Sequence, residues 1–265
     1  IFIGFLVALS STAIVLKLIQ ERAEVASPHG RTTLGILIFQ DVIIVPMILV
    51  TPLLAGATGN SGESALLLLA KGIGIIGLVI VSAKWIVPHV LYQVARTRSR
   101  ELFLLSVIVI CLAVAWMTFS AGLSLALGAF LAGLIISESE YSHQALGNIL
   151  PFRDVFISFF FVSIGMLLDI GFLFQQPEII VLLTLSILAL KAIIAGFAVI
   201  LLGFPLRTAI LVGLALSQVG EFSFILSKTG IEHGLLAGDT YQMFLVFSVL
   251  SMAATPFIIA LAPRL

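Results

Sequence analysis

Ile36-Leu37-Ile38-Phe39-Gln40-Asp41-Val42-Ile43-Ile44-Val45-Pro46 sets a carboxylate, with an amide beside it, in the middle of an apolar run. Asp41 lies ten residues past Arg31. At about 1.5 Å of rise per helical residue that is roughly 15 Å, half of a hydrocarbon core about 30 Å thick. The acid is therefore expected near a bilayer midplane. An aspartate there costs on the order of 3 kcal/mol on insertion scales, so its presence marks a functional position, and an ion carrier is the reading it suggests.

Composition fixes the class. With 61% hydrophobic and 10% charged residues, and a mean hydropathy of +1.26, the chain has too little polar surface to coat a soluble globule, and it reads as an integral membrane protein. Zero formal net charge gives no basic footprint for nucleic acid. The lone Cys111, inside an apolar span, excludes an internal disulfide and a cysteine-based metal cage. The chain opens on Ile, and the run Ile1 to Leu9 has no charged flank, so it is expected to be the remainder of a cut span in a fragment of a longer protein.

Apolar stretches of spanning length give about nine candidate transmembrane helices: 1–19, 32–55, 64–92, 101–118, 122–137, 154–170, 178–202, 206–228 and 240–262. Lys17, Arg22, Arg31, Arg96, Arg98, Arg100, Arg153, Arg207 and Arg264 all fall on one side of this layout, whereas the loops at 55–63, 118–123 and 168–178 carry no Lys or Arg. By the positive-inside rule the rich side is cytoplasmic, and the C-terminal end lies there. Span 64–92 is long enough to be a strongly tilted helix linking two bundles, with Lys71 and Lys84 snorkelling near its ends. Gly72, Gly74, Gly77, Gly128 and Gly133 permit close helix approach. The polar segment Ser137 to Arg153, broken at Pro151, is expected to be a cytoplasmic loop with room for a short surface helix.

An internal repeat is the next signal. Val7-Ala8-Leu9-Ser10-Ser11-Thr12 in the first span and Leu214-Ala215-Leu216-Ser217-Gln218-Val219-Gly220-Glu221 in the eighth both place Ala-Leu-Ser before a polar break. A proline follows each serine by 36 and 39 residues, Pro46 and Pro256. The two spans run in opposite directions, the relation of inverted repeats whose discontinuous helices face an ion site at the midplane. Ser10, Ser11 and Thr12 can offer hydroxyls there, or bond to a neighbouring turn. Lys191 and Glu221 are also well inside the membrane. The cheaper arrangement of these ionisable groups is a paired one, and Lys191 opposite Asp41 is the preferred pair, with a static Lys191–Glu221 bridge as the alternative. A cation taking the aspartate would then deprive the lysine of its partner and release its proton.

The runs Leu9-Ser10-Ser11-Thr12-Ala13, Pro28-His29-Gly30-Arg31, Leu37-Ile38-Phe39-Gln40-Asp41, Phe159 to Met166, Leu216 to Phe222 and Ser251 to Pro256 resemble, in order, the membrane domain of Kef-type monovalent cation/proton antiporters. The resemblance implies an all-α inverted-repeat transporter fold with two discontinuous crossing helices. These nine helices would be the fourth to twelfth of thirteen. It implies a homodimer whose mobile core, here 1–60 and 178–265, is joined through the linker helix 64–92 to a dimerisation panel at 101–170. It also implies that Asp41 binds the ion, that Gln40 tunes selectivity and stoichiometry, and that Ser10 to Thr12 and Gln218 to Glu221, Gly220 included, line the site. A glutamine before the aspartate is typical of the branch that handles potassium, and sodium stays open. Such systems usually continue into a cytoplasmic nucleotide-binding domain, which would lie beyond Leu265, and they sit in the bacterial inner membrane.

The expected activity is exchange of K+ or Na+ for H+ by alternating access, with both ions competing at Asp41 and no cofactor. The alternative is a ligand-gated potassium efflux channel on the same fold, although no Thr-Val-Gly-Tyr-Gly filter is present. An enzyme using Asp41 and Glu221 as an acid pair is disfavoured. There is no His-Glu-x-x-His motif, and His29, His89, His143 and His233 lie near span ends.

Overall fold

Every regular element that the computed structural model describes, over residues 1–56, 74, 77, 81–120 and 125–262, is a helix. In chain order these are α1 (Phe2–Ala8), α2 (Thr12–Glu21), α3 (Pro28–Leu54), a π-helical turn (Ser82–Ile86) leading into α4 (Val87–Ala95), α5 (Arg100–Ser120), α6 (Leu125–Ser137), α7 (Ser142–Leu167), α8 (Ile170–Gln175), α9 (Pro177–Leu201), α10 (Leu206–Ala215), α11 (Glu221–Glu232) and α12 (Gly238–Leu261).

Among the described residues, six helical stretches are long and apolar enough to cross a membrane: Phe2–Glu21, Pro28–Leu54, Arg100–Ser120, Ser142–Leu167, Pro177–Leu201 and Gly238–Leu261. Shorter apolar helices at Leu127–Ser137 and Leu206–Ala215 fall in the fifth and eighth expected spans. Most of the expected span 64–92, with Lys71 and Gly72, lies outside the described residues. One expectation is corrected: much of the segment read as a polar loop before Arg153 is helix, because α7 runs unbroken from Ser142 through Pro151. A proline removes one backbone hydrogen bond and bends a helix, and in a 26-residue helix the turns on either side carry it through.

The chain divides into two compact units, Ile1–Ala55 with Ile164–Leu265, and Gly56–Ser163. In the second unit α5 and α6 meet where a side chain on Gly128 would strike the Ala115 backbone and the Thr118 hydroxyl. The first unit holds the breaks seen in the sequence. Its core joins Val15 and Ile19 of α2, Leu37 of α3, Val199 of α9, Val212 of α10 and Ile259 of α12.

Local chemistry sets the helix ends in this unit. Ser27 caps α3, its hydroxyl accepting from the Gly30 N–H at 3.0 Å with Pro28 at the first helical position. Asp41 is the central residue of the 27 in α3. α1 stops at an extended Leu9, and α2 restarts after an extended Ser11 whose hydroxyl accepts from the Ile14 N–H at 3.2 Å. The α9–α10 contact depends on Gly213, where any Cβ would strike the Ala192 carbonyl oxygen. Gly213→Ala is accordingly expected to cost about 1–3 kcal/mol through overpacking, read as a lower melting temperature in detergent. Gly4→Ala, with open space around it, should leave that temperature unchanged.

Candidate ion-binding site

A helix that stops inside a membrane leaves carbonyls at one end and N–H groups at the other without partners, and no water is there to satisfy them. At the end of α1 the partners come from other helices. The Ser223 hydroxyl donates to the Leu6 carbonyl at 2.6 Å. The Lys191 ammonium donates to the carbonyls of Val7 at 2.6 Å and Leu9 at 2.7 Å. The Gln40 amide spans the gap, donating to the Ala8 carbonyl at 3.2 Å and accepting from the Ser10 N–H at 2.8 Å.

The second break, between α10 and α11, lies against the first. The Gly220 N–H donates to the Leu9 carbonyl at 3.0 Å, and the Ser10 hydroxyl donates to the Leu216 carbonyl at 2.8 Å. A side chain on Gly220 would collide with the Ser10 backbone, so this crossing requires glycine. The Val219 N–H is received at 3.2 Å by the Ser251 hydroxyl of α12.

Both acids converge on the first turn of α2. The Thr12 hydroxyl lies 3.0 and 3.2 Å from the two carboxylate oxygens of Asp41. The Ala13 N–H donates to Glu221 Oε1 at 3.0 Å. Glu221 Oε2 and both polar atoms of the Gln218 amide are buried with no hydrogen-bond partner among the described residues. Asp41 and Thr12 are half-buried, so the carboxylate can be reached, whereas Ser10, Ser11 and Gln218 are fully enclosed. Among the described residues no three His, Cys, Asp or Glu side chains group to hold a metal. The oxygens on offer, a carboxylate and a hydroxyl, suit a hard monovalent cation or a proton.

The structure thus brings together Ser10, Ser11, Thr12, Gln40, Asp41, Lys191, Gly220 and Glu221, while Gln218, in the second break, is buried without a side-chain partner among the described residues. The pairings differ from those expected. Lys191 bonds to backbone carbonyls, and no Lys191–Asp41 or Lys191–Glu221 ion pair occurs among the described residues. Two open carbonyls at the negative end of a helix give an ammonium both charge and directed acceptors. Ser10 and Ser11 use their hydroxyls on backbone groups, which leaves Thr12 as the hydroxyl on the carboxylate. Two further hydroxyls serve the breaks beyond those the sequence points to, Ser223 and Ser251. For Ser251 the available signal was the spacing of Ser248, Ser251 and Thr255, three fully buried hydroxyls on one face of α12.

Residues 1–262 match the family described as sodium/hydrogen exchanger, transmembrane. The chain is 40% identical over 97% of its length to "Putative K(+) efflux antiporter KefB" of Alkalimonas amylolytica, of which it covers 39%. It is 34% identical over 99% of its length to K(+) efflux antiporter 4 of Arabidopsis thaliana, covering 45%. It is likewise 34% identical over 99% to the glutathione-regulated potassium-efflux system protein KefC of Salmonella heidelberg, covering 43%. The chain therefore spans less than half the length of these relatives. The Kef-type resemblance read from its motifs holds across nearly the whole sequence.

Removing the Lys191 ammonium strands the part-buried Val7 carbonyl and leaves the Leu9 carbonyl with the Gly220 N–H alone. Lys191→Met is expected to lower stability by about 1–3 kcal/mol, seen as a depressed melting temperature of the purified protein. Asp41→Asn, which keeps a partner for the Thr12 hydroxyl, should melt close to the unsubstituted protein.

Proposed function

The chain belongs to the sodium/hydrogen exchanger transmembrane family, and from that membership we propose that it is the membrane domain of an antiporter exchanging a monovalent cation, potassium before sodium, for protons. The observation that carries this reading is the half-buried Asp41 at the centre of α3, held by Thr12 beside two broken helices. The names of these relatives, efflux antiporters and a potassium-efflux system, support exchange of potassium over catalysis or a channel.

In this mechanism a dehydrated cation binds the Asp41 carboxylate, with the Thr12 hydroxyl beside it as a second oxygen ligand. The open Glu221 Oε2 and the unpartnered Gln218 amide offer further polar positions in the same region. Protons displace the cation when the site faces the other side. Gln40 and Lys191 hold the break in shape, and Gly220 allows the two breaks to meet. The core, 1–60 with 178–265, moves when Asp41 is neutralised and is held back when a bare charge would face the apolar barrier. The panel at 101–170 is the proposed homodimer contact, and a bacterial inner membrane with the C-terminal end cytoplasmic is the proposed setting.

The test uses the full-length protein in proteoliposomes with the membrane potential clamped, following a pH dye after pulses of potassium and then sodium. Proton movement should follow potassium and vanish in Asp41→Asn. Undiminished proton-coupled flux in that variant would overturn the proposal, as would cation flux with no proton movement in the unsubstituted protein.

Gln40→Glu should be more damaging than its size suggests. A carboxylate can accept from Ser10 but cannot donate to the Ala8 carbonyl, and it adds a negative charge one residue from Asp41. Exchange is expected to fall at least tenfold, a loss of about 1.4 kcal/mol, when initial rates of dye response are compared.

A further inference from the structure

An apolar groove with a cavity of about 380 Å³ runs between α9 and α10, and none of the side chains placed at the ion site lines it. Its shape follows from the packing of the two helices. Gly196 approaches the Ala209 carbonyl, and Gly213 approaches that of Ala192, so the backbones nearly touch. Ala192, Gly196 and Ala209 therefore form a floor of small residues, and Phe197, Ile210 and Leu214 rise as walls. Phe197 and Ile210 are 59% and 38% exposed, so the groove is open along its length. A narrow trough with a low floor and tall apolar walls fits an extended hydrocarbon chain.

One end of the trough carries charge. Arg207 stands at the start of α10, three and seven residues before Ile210 and Leu214, which places all three on one helix face. It is exposed, and no carboxylate pairs with it among the described residues. It is also the only charged residue between Lys191 and Glu221. Just before it, the α9–α10 turn exposes Leu201 and Leu202, at 71% and 67%, as a segment in contact with lipid would. A guanidinium at the membrane surface with an apolar channel below it matches an anionic phospholipid part by part, phosphate above and acyl chain below.

We propose that the α9–α10 groove is a binding site for an anionic phospholipid, its phosphate held by Arg207 and one acyl chain lying over Ala192, Gly196 and Ala209. Gly213 and Lys191 belong to the same two helices, so an occupied groove would brace the elements that support the first helix break.

The full-length protein is placed in phosphatidylcholine nanodiscs containing a minor fraction of phosphatidylglycerol with a photoreactive acyl chain, and labelled peptides are mapped. Label should concentrate in residues 192–214, fall about fivefold in Arg207→Gln, and persist in Arg207→Lys. Ile210→Trp, which fills the groove, should remove it. Label spread evenly over all lipid-facing helices, or unchanged in Arg207→Gln, would overturn the proposal. So would equal labelling by a photoreactive phosphatidylcholine, which would mean that the headgroup charge is not read. None of these outcomes depends on transport.

Discussion

The constraint on which this structure depends is that backbone groups freed inside a membrane must find protein partners. Breaking a helix at Leu9 to Ser11 opens carbonyls at the end of α1 and N–H groups at the start of α2, each costing several kcal/mol if left unpaired in hydrocarbon. The partners come from α3, α9 and the α10–α11 crossing. Gln40, Lys191, Gly220 and Ser223 all point to the same few residues of backbone. Polar side chains from three other helices, Gln40, Lys191 and Ser223, thus meet where the helix is interrupted.

Charge follows the helix dipoles. The negative end of α1 receives an ammonium, while the positive end of α2 receives two carboxylates, Asp41 through the Thr12 hydroxyl and Glu221 through the Ala13 N–H. In the proposed exchange this separation has a consequence. Because Lys191 is bonded to carbonyls, Asp41 is not tied up by an internal cation, and an arriving ion competes with a neutral hydroxyl for it. Gln40 serves the same end from the other side, since as a neutral amide it can both donate and accept across the gap.

The parts of the site most legible in the sequence were those that violate the apolar background. An acid at the midpoint of an apolar run, hydroxyls at 10–12 and a Ser-Gln-Val-Gly-Glu break at 217–221 stand out because membrane interiors tolerate such residues only where something uses them. Partners that are backbone atoms were not legible. For Lys191 the sequence points to a carboxylate, because charge can be read from residue order, whereas an unsatisfied carbonyl exists only once the chain has been broken and folded. Pro151 misled for a related reason. A proline marks the end of a helix in isolation, yet the turns of α7 on both sides of it are long enough to hold the helix together.

The sequence by itself determined that this is a helical membrane protein with an acid at the centre of one span and polar interruptions in two others. Burial of apolar length and the cost of intramembrane charge depend only on residue order and spacing. Tertiary structure alone decided which interruption meets which side chain. The contact between Gly220 and Ser10, the capping of α1 by Lys191 and the arrival of Asp41 and Glu221 at adjacent residues of α2 join segments up to 210 positions apart, from Ser10 to Gly220. Hydrogen bonds are short-ranged and directional, so only the packed helices can bring those groups within reach.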